Sequence, residues 1–317
     1  MRLVVSLLVV LVVAAAGGAL AFGWLDSDTS SPRSSTAAPA ATATRTTPPR
    51  PAVPALCRRL DATVTGRVRD TALDELSGLV VSRTRPGLLY THEDSGAGPQ
   101  VWALRTDGRP AGGWTVPGAE AVDWEDLATG PAPSGQGAVL YLGDIGDNGG
   151  VRPYIDIYRV PEPAPGTAAT APAERLRLRY PDGARDAETL LVDPRRGTIV
   201  IVTKELTGAR AYSVPGSAFP GEATLRRGPE VDVALATGGD VSADGRVIAV
   251  RGYTALAVWR RRGDETLTQA LRREPCSPPT GLFEGQGEAL ALSRDGTVAR
   301  TVAEGSPAVL RRYRPAR

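Results

Sequence analysis

Residues 186–203 read Asp186-Ala187-Glu188-Thr189-Leu190-Leu191-Val192, a turn over 193–197 containing Pro194 and Gly197, then Thr198-Ile199-Val200-Ile201-Val202-Thr203. Two β-branched apolar runs about a short polar turn make a hairpin, and apolar residues at consecutive positions suit strands covered on both faces. The head of this unit recurs as Glu75-Leu76-Ser77-Gly78-Leu79, Asp123-Trp124-Glu125-Asp126-Leu127, Asp240-Val241-Ser242-Ala243 and Gly287-Glu288-Ala289-Leu290. Aligned on Ser77, Glu125, Glu188, Ser242 and Glu288, the copies stand 48, 63, 54 and 46 residues apart. Propeller blades repeat every ~40–50 residues, and the one long interval contains a Pro/Ala-rich insertion over 161–172. The pattern predicts an all-β fold, a β-propeller of five blades with six as the alternative. The last copy runs out of chain near Tyr313 without an outer strand. Thr63-Val64-Thr65-Gly66-Arg67-Val68, ahead of the first copy, can supply it, so the ring is expected to close through an N-terminal strand.

Outward from the repeat, the chain divides into three parts. Residues 1–25 carry an almost unbroken apolar run from Leu3 with Ala19-Leu20-Ala21 near its end, and read as a signal peptide or, uncut, a single-pass membrane anchor. Residues 26–56 are rich in Pro, Ser, Thr and Ala and too poor in large apolar groups to offset their ordering entropy, so a disordered stalk is expected. Residues 57–317 form the propeller. This organisation places the protein outside the cell or at its surface, touching a membrane only if the first segment is retained. Cys57 and Cys276, the chain's two cysteines, are then candidates for a disulfide; two buried free thiols are the alternative.

Composition narrows the chemistry. With 37 Lys and Arg against 35 Asp and Glu, the net charge of +2 lacks the basic excess of a nucleic-acid binder. One His and two Cys exclude a His-rich zinc site or a protein-ligated iron–sulfur cluster. Any metal must be held mainly by oxygen. No phosphate loop and no Gly-x-Ser-x-Gly elbow is present. The arginines after Trp259 (Arg260, Arg261, Arg262) read as a solvated strand edge.

Each marker opens the innermost strand of a blade, so the fold is expected to gather Ser77, Glu125, Glu188, Ser242 and Glu288 at one mouth of the central channel. Carboxylates converging there must take up protons or share a cation. The all-oxygen set suits Ca2+ better than Mg2+; hydrogen bonding to backbone amides is the alternative role. A second set, at the ends of the second strands on the same face, holds His92, Asp94, Asp144, Asp147, Asn148, Lys204 and Arg251, and includes the chain's single His, Lys and Asn. Lys204 and Arg251 could bind a small anionic ligand and the aspartates a cation or a proton, while a ring of structural ion pairs is the alternative.

The motifs Asp123-Trp124-Glu125-Asp126 and Gly143-Asp144-Ile145-Gly146-Asp147-Asn148, with Asp186-Ala187-Glu188 and Ser242-Ala243-Asp244-Gly245, resemble a family of exported bacterial β-propellers of unsettled activity. More distantly, the Ser, Glu, Glu, Ser, Glu order of the markers is similar to the central calcium ligands of calcium-activated nucleotidases (apyrases), which are five-bladed propellers. Propeller phytases and esterase-like relatives are similar in kind. The resemblance implies axial calcium more directly than nucleotide hydrolysis, because the nucleotidases' substrate-binding segments are missing. Two functions follow as expectations: a calcium-bearing ligand-binding or scaffold module facing a small anion or a surface partner, or a calcium-dependent hydrolase of phosphate esters or anhydrides.

Overall fold

In the computed structural model of the protein the described residues are 53–317 apart from 71–72, 95, 134, 136, 280–281 and 283. The chain divides into two units, Met1–Arg50 and Pro51–Arg317. The expected export segment and nearly all of the expected stalk lie outside the described residues. Among the described residues no helix is long and apolar enough to cross a membrane.

In chain order the strands begin with β1 (Leu60–Val68), which is set apart from the blade that follows. Blade 1 is β2 (Leu76–Val81), β3 (Leu88–Glu93), β4 (Gln100–Arg105) and β5 (Pro110–Thr115). Blade 2 is β6 (Trp124–Pro131), β7 (Ala138–Asp144), β8 (Ile155–Pro161) and β9 (Glu174–Arg179). Blade 3 is β10 (Ala187–Val192), β11 (Ile199–Thr203), β12 (Arg210–Val214) and β14 (Arg226–Glu230), and the intervening β13 (Gly221–Thr224) adds in parallel to β9. Blade 4 is β15 (Ala236–Val241), β16 (Val247–Gly252) and β17 (Leu256–Arg260), followed by a short helix α1 (Leu267–Leu271). Blade 5 is β18 (Gly287–Leu292), β19 (Ala299–Ala303) and β20 (Ala308–Pro315), with β1 antiparallel to β20 as its outer strand. The protein is thus a five-bladed β-propeller closed by its own termini.

The consecutive apolar runs have their expected cause. β10 and β11 are buried at every position because each blade is covered by a neighbour on both faces. The core is accordingly a set of seams. Tyr90, Trp114, Trp124 and Tyr158 fill that between blades 1 and 2; Tyr141, Ile157, Leu190 and Ile201 that between blades 2 and 3. Trp259, Val200, Ile248 and Leu271 fill the seam between blades 3 and 4, where α1 stands in for the missing fourth strand. A capping box between Thr266 and Gln269 starts that helix. Leu56, Leu60, Leu290 and Tyr313 pack with Val258 between blades 4 and 5, and Leu76, Leu79, Ala291 and Leu310 close blade 5 on blade 1. Each fully buried leucine contributes roughly 1.5–3 kcal/mol.

Cys57 and Cys276 form a disulfide with a Cα–Cα distance of 5.6 Å. Cys276 also bridges Val258 on the edge of blade 4, so the bond ties the segment leading into β1 to the neighbouring blade. In the chain-entropy view, a loop of 219 residues stabilises by about 5 kcal/mol.

Candidate functional site: the acidic mouth of the channel

The inner strands β2, β6, β10, β15 and β18 line the channel, each in contact with the next around the ring. Near its start, the pairing of each inner strand with the second strand of its blade breaks register. The residue passed over is Glu125 in β6, Glu188 in β10, Thr237 in β15 and Glu288 in β18. In β2 the irregularity follows Ser77. A bulge frees a residue from the ladder and re-aims its side chain, which suits these positions to the channel mouth. The true repeat is therefore Ser77, Glu125, Glu188, Thr237 and Glu288, at intervals of 48, 63, 49 and 51 residues.

Ser242 is not part of it. It follows the far end of β15, where its hydroxyl accepts from the amides of Arg246 and Val247 and donates to Asp244, closing the turn to β16. The short polar sequence around Ser242 resembles a strand start but caps a strand end. Thr237 takes its place and donates to the Gly287 carbonyl at 2.9 Å, as Ser77 donates to the Glu125 carbonyl. Both hydroxyl protons are spent tying one blade to the next.

Glu125, Glu188 and Glu288 do come together, and Glu125 feels the charges of both others and of Asp94 and Asp123. Carboxylate oxygens of Asp94, Asp123 and Glu125 lie within 4.8 Å of one another, as do those of Asp94, Glu288 and Glu304. Asp94, just beyond β3, is common to both groups. Burial first, then the neighbouring carboxylates, pushes Glu125 up to about 12. Burial and Glu288 raise Glu304 to about 9. Burial raises Glu188 to about 8, although Lys204 acts against it. Asp123 is raised by burial despite Arg152 nearby.

Lys204 is the basic side chain inside this ring. Its ammonium donates to Glu188 Oε1 and stands 5.4 Å from the Tyr253 ring centroid. Burial, the largest single effect, lowers it, but the charge and hydrogen bond of Glu188 together with Tyr253 outweigh burial and raise it. Glu188 Oε2 is buried with no hydrogen-bond partner. The Tyr253 hydroxyl donates to Glu288 Oε1 at 3.3 Å. Other arginines of this end are engaged elsewhere, Arg152 with Asp144 and Arg185 with Asp182 and Glu205.

Much of the second expected set serves the frame around the mouth. Asp144 accepts from the amides of Val122 and Asp123 and pairs with Arg152 at 2.7 Å, holding the approach to β6. Asp147 accepts from the amides of Val151 and Arg152, and its own amide donates to Asp186 in the next blade. Between them, Gly146 leaves room for the site: a Cβ there would stand 2.5 Å from Asp123 Oδ2 and closer still to Glu125 Oε1. Asn148 is exposed at the loop tip. His92 is fully buried, hydrogen-bonded through Nδ1 to the Glu93 carbonyl and edge-on to Trp124; burial lowers it to about 4, so it is a neutral core histidine. Arg251 is fully buried in an ion pair of 2.9 Å with Glu284, which also accepts from Thr301 and Tyr313. That network joins blades 4 and 5 and holds Arg251 through Nη1, while its Nη2 lies against Gly287 with no hydrogen-bond partner.

The chain is similar to a gluconolactonase from Xanthomonas campestris, with a TM-score of 0.45 and 14% identity over 75% of this chain and 71% of that one. It is similar to a luciferin-regenerating enzyme, with a TM-score of 0.45 and 10% identity over 80% of this chain and 95% of that one. To the Dos1 propeller the TM-score is 0.37 at 11% identity, over 75% and 68% of the two chains. No protein-family model and no curated protein matches the chain. At these levels nothing of the neighbours' chemistry carries over.

The site therefore comprises Asp94, Asp123, Glu125, Glu188, Glu288 and Glu304, with Lys204 and Tyr253 at its side. Asp123 is absent from the residues expected from sequence, although it heads the Asp123-Trp124-Glu125-Asp126 motif. Thr237 could have been found by holding the repeat near 50 residues. The donor set is wholly oxygen and includes a buried carboxylate oxygen without a partner, which fits a hard divalent cation.

Proposed function

We propose that the protein binds a Ca2+ ion in the mouth of its channel and, through that ion, a small anionic ligand or a surface partner outside the cell. The carrying observation is the pair of carboxylate triads that share Asp94. Like charges at such distances, with one member of each triad buried and the others half-buried, are unfavourable unless protonated or bridged by a cation. Ca2+ takes six to eight oxygens in flexible geometry, whereas Mg2+ demands a strict octahedron and retains water, so this crowded ring favours the larger ion. Asp94, Asp123 and Glu125 would supply its protein ligands, with Glu288 and Glu304 forming the second triad on the other side of Asp94. Lys204 stands beside them as the group to meet an anion that also touches the metal. The Cys57–Cys276 disulfide is consistent with an extracytoplasmic location, in keeping with the apolar N-terminal run.

The test is isothermal calorimetry of Ca2+ into the chelator-treated full chain, with Mg2+ as control. Saturable binding selective for Ca2+ and lost in Glu125→Gln is expected. No binding to the folded wild type overturns the reading and leaves the carboxylates as protonated hydrogen-bonding groups.

A further inference from the structure

We propose a second binding site, for a diphosphate group, at the end of the propeller opposite the acidic mouth. β10 and β15 start at the mouth and lead into turns at the other end, and β17 finishes there. These three elements enclose an open cavity of about 550 Å3 lined by Arg195, Arg246, Arg260, Arg261, Arg262 and Gly263, with no carboxylate in its wall. The arginine run after Trp259 is thus one wall of a concave site rather than a solvated strand edge.

The floor is rigid. Arg261 is fully buried and holds Asp193 through two bonds of 2.8 and 2.7 Å. Arg195 donates through Nε to the Asp244 carbonyl at 2.8 Å and through Nη1 to the Gly263 carbonyl at 3.1 Å. Gly245, at φ +69°, lets both guanidinium groups close over the turn: a Cβ there would lie 3.0 Å from Arg195 Nε and 3.2 Å from Arg261 Nη1. Arg195 is therefore oriented before any ligand arrives, which lowers the entropic cost of binding.

Of the four acids nearby, three are already committed, and the fourth, Asp264, is exposed beside Gly263. Asp193 is taken by Arg261, Glu265 by Arg273, and Asp244 by the Ser242 hydroxyl and the Arg246 amide, with the Arg246 guanidinium 3.7 Å away. Arg195, Arg246 and Arg262 are exposed, so their remaining donors face solvent. Guanidinium groups match phosphate oxygens, and the donors left on Arg195, Arg246 and Arg262 around a cavity wider than one phosphate suit two linked phosphates.

The test titrates pyrophosphate, and separately orthophosphate, into the full chain by calorimetry with a chelator present, so that no cation at the mouth bridges the anion. Pyrophosphate is expected to bind saturably and at least tenfold more tightly than orthophosphate. Affinity is expected to fall at least tenfold in Arg246→Ala/Arg262→Ala and severalfold in Arg262→Ala alone, each with unchanged melting. It should stay unchanged in Arg300→Ala, an arginine of blade 5 outside the cavity. Absence of saturable binding, equal affinity for the two anions, or an equal loss in Arg300→Ala overturns the assignment.

Discussion

Lys204 closes onto Glu188 at the channel mouth, its ammonium on Oε1 while Oε2 stays buried without a partner. In the absence of a cation the lysine is the mouth's own counter-ion. A bound Ca2+ must share the carboxylate ring with it. Lys204→Met should therefore tighten Ca2+ binding by on the order of tenfold, about 1.4 kcal/mol, by removing a like charge from beside the metal. Calorimetry on the variant checks this, and weaker binding would show that Lys204 supports the metal site instead.

The raised carboxylates set a pH dependence. Glu188 and Glu304 are raised to about 8 and about 9 in the folded chain, whereas an unfolded glutamate titrates near about 4.3. Across that interval the folded state holds more protons than the unfolded state, so stability falls as pH rises. Melting of the chelated protein should drop by at least ~4 °C between pH 5 and pH 8, roughly 1–2 kcal/mol at this size. Ca2+ displaces the protons, so it should bind more tightly at pH 8 than at pH 5 and reverse the drop. A chelated protein whose melting rises over this range would contradict the assigned burial of charge.

Gly146→Ala introduces a methyl group where Asp123 and Glu125 now approach. Ca2+ affinity should fall at least tenfold while the propeller remains folded, because the displaced atoms are the ends of side chains. Circular dichroism and calorimetry on one preparation separate the two effects.

Asp126 ties three inner strands together. Its carboxylate, fully buried in β6, accepts from the amides of Leu127, Leu190 in blade 3 and Gly239 in blade 4. Asp126→Ala leaves three buried amides without an acceptor and should cost on the order of 3–5 kcal/mol. Urea unfolding measures it, and a loss below about 1 kcal/mol would mean that water replaces the carboxylate.

The two glutamate-bearing motifs show how far local sequence reaches. In β6 and β10 a polar residue before an acid and an apolar run marks both the strand start and the bulge, and both signals lie within a few adjacent residues. Glu125 and Glu188 were therefore legible. In blade 4 no acid stands at the start of β15, which reads Ala236-Thr237-Gly238-Gly239, while its far end, Asp240-Val241-Ser242-Ala243, carries an Asp two residues before a polar residue as the heads of β6 and β10 do. Only the pairing of Ala236 with Gly252 and of Gly238 with Arg251 shows that Thr237, not Ser242, is the bulged position.

The sequence by itself favoured five blades over six, placed the closing strand β1, and singled out the cysteine pair and three of the mouth carboxylates. Each depends on spacing along the chain or on a short run of adjacent residues, and a repeat reports these directly. Tertiary structure alone decided which charged side chains are consumed inside the protein and which remain for a ligand. Arg251 disappears into Glu284, 33 residues away, Asp144 and Asp147 turn to backbone amides and Arg152, and Asp94 meets Glu288 and Glu304 from another blade. The partner of a charged group is set by distances across the seams and the channel, between residues whose separation in sequence carries no information about their approach.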